Sequence, residues 1–255
     1  MRHLILLSSL ILLLFGGAAQ TLAKDDAVLL EKKTVVLVRP KKLTKDFPER
    51  RTAKVSYPLV KGGLSNPAVL NRVRALLQVK SIFDSSLEEY RQDTWLEEFD
   101  YTVNYNRNYI LDITFIELGS GAYPDSQHKH LAINLKTGKL IKASDIFKPA
   151  MMHELAAKVN EKLQAEIQEN LKEIATNNDY NAEEKQSLPS LYENLKIETK
   201  DLNEFSIGEK GITFLYDAGF AHVVQALQPV GEYFFSYAEL APYLQRKGSA
   251  ASLIP

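Results

Sequence analysis

Two neighbouring segments of this chain alternate large apolar and polar residues with a period of two, over residues 95–105 and 109–115. Successive side chains of a β-strand point to opposite faces, so this alternation predicts two strands that each bury one face. With residues 106–108 as the turn, Tyr101 should face Ile113, and every large apolar side chain falls on the same side of the hairpin. The chain must therefore contain an antiparallel hairpin with one buried face.

Strand and helix signals precede this hairpin. A β-branched run over residues 34–38 predicts an edge strand, and residues 52–60 predict a second strand that ends at a pair of glycines. A helix should begin at Pro67, directly after a residue of N-capping type, and run toward Tyr90 with a break near Ser81. The order before the hairpin is thus strand, strand, helix.

A long helix and more strands are expected after the hairpin. Apolar residues between Met152 and Ile174 recur at spacings of three and four, which predicts an amphipathic helix lying across the sheet. Short strands are expected over 204–207, 212–216 and 233–235, and a terminal helix over 237–244. Because no alternation of strand and helix of the doubly wound kind occurs, we predict an α+β fold, with a mainly antiparallel sheet packed by the long amphipathic helix and shorter helices.

The N-terminal residues have the features of a secretory signal peptide. Arg2 precedes an apolar run over residues 4–15, and small residues follow as far as Ala23. This run spans about 18 Å as a helix, short of the roughly 30 Å hydrocarbon core of a bilayer, so we favour cleavage after Ala23; an uncleaved anchor stays open. The mature protein is expected to be secreted or periplasmic, with no integral membrane span.

Composition excludes several classes of function. The chain has 31 Lys+Arg against 32 Asp+Glu, a formal net charge of −1, and so lacks the positive field that draws proteins to nucleic acid. It contains no cysteine, which excludes disulfides, thiol catalysis and Cys-ligated zinc or iron–sulfur clusters. We expect neither a nucleic-acid partner nor a cofactor.

The chain resembles one family in three parts: the strand at 109–113 followed by ELGSGAYPDSQHKHLAINLKTGKLIKASDIF (117–147), the long helix, and GITFLYDAGFAHVVQALQPVGEYFFSYAELAPYL (211–244). These parts are similar to the tandem extracytoplasmic module of lysozyme-sensing anti-sigma factors and certain peptidoglycan deacetylases, the RsiV-like and PdaC-like proteins. The resemblance covers roughly residues 52–244. We therefore divide the chain into a signal peptide (1–23), a charged N-terminal arm (24–51), an α+β module (52–245, in halves of about 52–147 and 148–245) and a loose tail (246–255).

Two departures from the family pattern bear on function. The family loop usually reads Gly-Gly-Ala-His, whereas residues 120–123 read Ser-Gly-Ala-Tyr. Residues 217–229 also lack the family's usual Tyr-rich pattern of a strand leading to a glycine. In addition, only three residues precede the apolar run, and fewer than twenty follow Leu244, so we expect neither a sigma-binding segment nor a deacetylase domain. The resemblance then implies a secreted module that binds rather than catalyses.

The Gly-rich segment from Gly119 to Gln127 is the candidate binding loop. Tyr123 is its best contact residue, because an aromatic side chain between glycine and proline has no periodic reason to be buried. The expected partner is an envelope protein, such as a muramidase-like protein, or a glycan derived from peptidoglycan. The candidate ligand-binding residues are Gly119, Ser120, Gly121, Tyr123, Asp125 and Gln127.

A metal-dependent envelope hydrolase or deacetylase is the main alternative. His128 and His130 share one face of a predicted strand whose other face is apolar, which makes them candidate zinc or copper ligands. Asp125, His153 or His222 could complete such a site. The polar face of a half-buried strand accounts for both histidines equally well.

Two further interpretations are a pair of catalytic carboxylates and a structural role. Asp100 and Asp112 could be imagined as a glycosidase pair, but any solvent-exposed sheet face carries such carboxylates, so we predict that both are solvent-exposed. A structural or assembly role without a small ligand is the other interpretation.

Overall fold

The computed structural model describes residues 26–248, 251 and 253, so the predicted signal peptide lies outside the described residues. The larger of two sheets has six strands in sequence order, antiparallel except for β2 and β3, which pair in parallel over two residue pairs. Its strands are β1 (Leu29–Val38), β2 (Thr52–Gly62), β3 (Leu96–Arg107), β4 (Ile110–Ser120), β5 (Pro124–Asn134) and β6 (Lys139–Leu140). The edge strand predicted at 34–38 is confirmed as part of β1.

Three helices between β2 and β3 cover one face of this sheet: α1 (Pro67–Leu76), α2 (Val79–Phe83) and α3 (Leu87–Gln92). Asn66 caps α1 by accepting hydrogen bonds from the next helical N–H groups, as its position before Pro67 predicts. The single break expected near Ser81 is wrong. The chain leaves the helix twice, first before α2 and then at Asp84, which adopts a left-handed conformation with φ 59°.

The second half of the chain adds a three-stranded antiparallel sheet. Its elements are α4 (Ala143–Ile146), α5 (Met152–Thr176), α6 (Ala182–Ser187), β7 (Phe205–Ile207), β8 (Gly211–Leu215), β9 (Glu232–Ser236) and α7 (Tyr237–Leu240). The long helix is confirmed as α5. Its apolar face packs with the strands of the smaller sheet and with Tyr105, Ile110 and Ala132 of the larger one in a single core cluster, which Leu253 also joins. The α+β fold class is therefore confirmed.

The β3–β4 hairpin has a different turn from the predicted one. Asn108 and Tyr109 both adopt left-handed conformations, with φ 55° and 61°, and form a two-residue turn that pairs Arg107 with Ile110. Tyr109 N–H donates to the carbonyl oxygen of Asp26 (2.7 Å), which helps to hold this strained turn.

The turn and a bulge together set the register of this hairpin. A bulge between Val103 and Tyr105 then moves the pairing back by one residue, so that Tyr101 lies opposite Phe115 rather than the predicted Ile113. The predicted register is therefore wrong. The assignment of the buried face holds for Phe99, Ile113 and Phe115, which are fully buried in one core cluster. It is wrong for Val103, which is exposed, and for Tyr105, which packs in the other core cluster.

Asp112 corrects a second prediction. Its side chain is fully buried rather than solvent-exposed, because the face of β4 that carries it is covered by the smaller sheet. One carboxylate oxygen accepts hydrogen bonds from Asn104 Nδ2 (2.8 Å) and Ser206 Oγ (2.8 Å), and the other accepts from Ile207 N–H (2.9 Å). Burial raises the pKa of Asp112 to about 6, although these hydrogen bonds oppose the shift. This carboxylate joins the two sheets.

Within the described residues, we find no helix that has both the length and the apolar character needed to cross a bilayer.

Asp112→Ala should destabilise the protein by about 3 kcal/mol, because it leaves the Ser206 hydroxyl, the Ile207 N–H and one N–H of the Asn104 amide without an acceptor in the interior. Chemical denaturation measures this loss. Asp46→Ala is the matched control, since Asp46 is exposed, and it should change the unfolding free energy by less than about 0.5 kcal/mol. Equal effects of the two substitutions would contradict the role of Asp112 as a link between the sheets.

Candidate functional site

The predicted binding loop is the tip of the β4–β5 hairpin. The strands continue to Ser120 and resume at Pro124, so that only residues 121–123 form the tip. Gly119 lies against Trp95: a Cβ atom at position 119 would be 2.5 Å from the indole ring and from the carbonyl oxygen of Trp95. The absence of a side chain at Gly119 therefore allows the tryptophan to pack against this end of the hairpin.

The tip is tied to its surroundings by hydrogen bonds. Ser120 N–H donates to the Trp95 carbonyl (2.9 Å), and the Ser120 hydroxyl donates to the Glu97 carboxylate. Gly121 N–H donates to the Tyr123 carbonyl (3.1 Å), and the Gly121 carbonyl accepts from the guanidinium of Arg50 (2.9 Å). These contacts hold the hairpin tip in a defined position.

Tyr123 is exposed to 63% and stacks on a residue from the other half of the chain. Its ring centroid lies 4.8 Å from that of His222, with an interplanar angle of 32°. His222 begins a 3₁₀ helix (His222–Leu227) in the connection between β8 and β9. The structure thus brings together two exposed rings that lie about 100 positions apart in the sequence.

These rings border a cleft of about 370 Å³, which we call the aromatic cleft. Its volume is at the small end of the range for ligand pockets. Phe220, which also lines the cleft, packs edge-on against the ring of Tyr192, with ring centroids 5.5 Å apart. Apolar ring faces and polar groups therefore converge on one open space. The aromatic cleft is lined by Trp95, Gly121, Ala122, Tyr123, Asp125, Phe220, His222 and Gln225.

The connection between β8 and β9 is held in place by its own hydrogen bonds. Tyr216 N–H donates to the Gly231 carbonyl (2.8 Å) and closes its base. The Gln228 amide donates to Asp217 Oδ1 (3.0 Å) and accepts from Phe220 N–H (2.9 Å). This wall of the aromatic cleft is therefore ordered before any ligand binds, which lowers the entropic cost of binding.

The structure separates the six predicted ligand-binding residues into three groups. Gly121, Tyr123 and Asp125 line the aromatic cleft, whereas Gly119 and Ser120 support it from β4. Gln127 is an exposed residue of β5 that does not line the cleft. Sequence reasoning missed four lining residues: Trp95, Phe220, His222 and Gln225. Only the exposed aromatic in a glycine-rich stretch gave a usable signal, because the other residues reach the cleft through the tertiary fold.

His128 and His130 have a different environment from the predicted metal site. Their rings lie 6.4 Å apart and nearly parallel, with His128 exposed and His130 half-buried. His130 Nδ1 lies 2.9 Å from the hydroxyl of Thr114, which accepts from the Asn104 amide (2.7 Å). In the part of the chain that the structure describes, no group of three or more His, Asp or Glu residues is placed to hold a metal ion. Asp125 and His222 lie at the aromatic cleft instead.

The hydrogen bonds of His130 suit its neutral form. The Thr114 hydroxyl accepts a hydrogen bond from the Asn104 amide, and when Nδ1 of the neutral ring is unprotonated the same hydroxyl can donate a hydrogen bond to it. Burial, together with the neighbouring His128, lowers the pKa of His130 to about 4. His130 thus belongs to the same polar network as the buried carboxylate of Asp112, which Asn104 also contacts.

His130→Gln should remove a pH-dependent part of the stability. The pKa of folded His130, about 4, lies below the ordinary histidine value of 6.5, so the unfolded chain binds more protons between these pH values. Its contribution is fully present above pH ~6.5 and is lost as the pH falls toward 4. In urea titrations, the stability advantage of the wild type over His130→Gln should therefore shrink from pH 7 to pH 4. A constant difference would contradict burial of the neutral ring.

The two sheets, the covering helices and the aromatic cleft define an α+β module with a ligand-sized cleft. No protein-family model matches the chain, and the comparison with curated proteins found no match. Among solved structures, it is similar to a member of the DUF3298 family (BF2082) from Bacteroides fragilis NCTC 9343, with a TM-score of 0.52 and 14% identity over 86% of this chain and 95% of that one. It is also similar to a DUF3298 protein (PA4972) from Pseudomonas aeruginosa PAO1, with a TM-score of 0.49 and 11% identity over 92% and 99%.

The likeness to the Bacteroides fragilis protein shows that the two chains share a fold. At 14% identity the likeness assigns no residue role, so the function has to be argued from the cleft itself.

Proposed function

We propose that this protein is a secreted or periplasmic, non-catalytic module that binds a cell-envelope component through the aromatic cleft. The component is a muramidase-like protein or a peptidoglycan fragment. The observation that carries the proposal is the stacked pair of exposed rings, Tyr123 on His222, at the mouth of a cleft with Trp95 and Phe220 in its walls. Exposed aromatic residues in a preformed cleft are the usual anchors of binding sites.

The polar groups of the aromatic cleft support binding rather than catalysis. Asp125 Oδ1 accepts a hydrogen bond from the N–H of Ser126 (2.8 Å), and His222 Nδ1 lies 3.1 Å from Gln225 Oε1. Each group is therefore oriented by a local partner, and each keeps further hydrogen-bonding capacity for a ligand. Flat rings beside amide and carboxylate groups suit the mixed apolar and hydroxylated faces of a sugar as well as the side chains of a protein.

The expected location and the resemblance together suggest the type of partner. A signal peptide would deliver the module to the cell envelope, where peptidoglycan and the enzymes that cleave it are present. The family resemblance adds lysozyme-type proteins to the candidates. The tip residues Ser120–Tyr123 depart from the usual family loop, so the contacts made here should differ from those of the family.

Tyr123→Ala should weaken binding of the envelope partner by about tenfold, because it removes the exposed ring that anchors the cleft. The wild type and the variant are compared by affinity capture and titration, with lysozyme and soluble peptidoglycan fragments tested in parallel. Phe234→Ala is the matched control, since Phe234 is also an exposed aromatic residue (47%) but does not line the aromatic cleft.

The two ligands distinguish the two forms of the proposal. Binding of lysozyme alone or of peptidoglycan alone, with loss in Tyr123→Ala but not in Phe234→Ala, identifies the partner. If neither ligand binds the wild type, or if both substitutions weaken binding equally, the proposed function is wrong.

Export should remove the N-terminal residues. We expect the mature protein to begin near Lys24, because the apolar run is too short to span the bilayer and small residues precede this position. N-terminal sequencing of the protein from the envelope or medium checks this. An intact Met1 in the membrane fraction would show that the segment is an anchor instead.

A further inference from the structure

A second cleft, of about 660 Å³, lies between β2 and the helices α1–α3. It opens because β2 pairs with β3 only at Lys54 and Val55, while residues 57–61 of the same strand border the cleft. We call this cleft the β2 groove. Its volume lies well within the range of sites for small molecules.

The walls of the β2 groove are mainly apolar. Val60, Leu77 and Val79 are buried and belong to the core beneath it. Leu59 and Leu87 are half-buried and border the open space. Because Leu59 is partly exposed where it borders the groove, part of its apolar surface is available to a ligand. An apolar body placed in the groove would remove these side chains from water, which is favourable.

The strand edge in the groove is poorly suited to pair with a peptide. The carbonyl of Val60 points into the groove, where it accepts a hydrogen bond from Arg74 Nε (3.1 Å). Pro58 lies two residues earlier, so its main-chain groups point to the same side, and proline has no N–H to donate. Addition of an extended peptide strand needs such groups to be free. The groove therefore favours a ligand that binds through apolar contact.

The lining of the groove contains three cationic residues, Lys61, Arg74 and Lys80, and one acidic residue, Glu88. Lys61 and Lys80 pair with Glu31 (3.1 Å) and Glu89 (3.8 Å), which lie outside the lining. Glu88, the acidic residue of the lining, pairs with Arg91.

Arg74 is the cation available to a ligand. Its side chain is held by Val60 O and by Asn71 Oδ1 (3.1 Å), yet within residues 26–248 it forms no ion pair with a carboxylate. An oriented guanidinium beside an apolar groove is complementary to an anionic head group.

We propose that the β2 groove binds a single-chain anionic amphiphile, with its apolar chain against Leu59 and Leu87 and its anionic head at Arg74. A fatty acid and a lysophospholipid share this chemistry. The groove and the aromatic cleft have no lining residue in common, so this proposal does not depend on the proposed function.

Fluorescence titration of the purified protein with dansyl-undecanoic acid and with its methyl ester tests the proposal. The wild type should bind the acid saturably. Arg74→Gln should weaken binding of the acid by about fivefold, as for a solvent-exposed ion pair, and leave binding of the neutral ester unchanged. Leu59→Trp should fill the groove and weaken both probes by about tenfold or more. Tyr123→Ala is the control at the aromatic cleft and should bind both probes like the wild type.

Other outcomes would overturn the proposal. These are no saturable binding of the acid by the wild type, equal loss of acid and ester in Arg74→Gln, binding that survives Leu59→Trp, and binding that is lost in Tyr123→Ala. Arg74 is exposed, so its substitution gives a clear result even if Leu59→Trp does not fold, and thermal unfolding of each variant establishes that it is folded. A second arm with lysophosphatidylglycerol, which is anionic, and oleate as competitors of the probe distinguishes the two natural sources.

Discussion

The buried carboxylate of Asp112 is the interaction on which the arrangement of the two sheets depends. A carboxylate in a protein interior is costly unless hydrogen bonds replace its water, and this one receives three. Two of the three donors, the Ser206 hydroxyl and the Ile207 N–H, belong to β7 of the smaller sheet. The carboxylate can therefore be satisfied only when β4 and β7 face each other in this position.

The aromatic cleft is a consequence of this arrangement. One wall is the tip of the β4–β5 hairpin with Tyr123, and the other is the β8–β9 connection with His222. The hydrogen bonds of Asp112 join β4, which leads to the hairpin tip, to β7, which pairs with β8. Each wall is then ordered locally, which gives a binding surface that needs little rearrangement.

A second buried polar group supports the hairpin tip from the N-terminal side. The guanidinium of Arg39 is almost fully buried and donates to four main-chain carbonyls, on Asp93, Arg50, Thr52 and Leu96. It thereby joins the end of β1 to the starts of β2 and β3. Arg50 in turn donates to the carbonyl of Gly121, so the segment predicted as a charged arm helps to hold the candidate site.

The sequence alone determined the features that depend on local geometry. The period of two identified the strands around the hairpin, the spacing of three and four identified α5, and Asn66 before Pro67 located the start of α1. Each of these patterns is set by the backbone of one element and the solvent on one side of it.

Only the tertiary structure decided the burial of Asp112, the hairpin register and the stacking of Tyr123 on His222. The residues that make the first and third contacts lie about 100 positions apart, and the register depends on two consecutive left-handed residues that no side-chain pattern marked. A polar residue on an alternating strand looks the same in the sequence whether water or a second sheet covers it, because the strand period reports only which face a side chain is on.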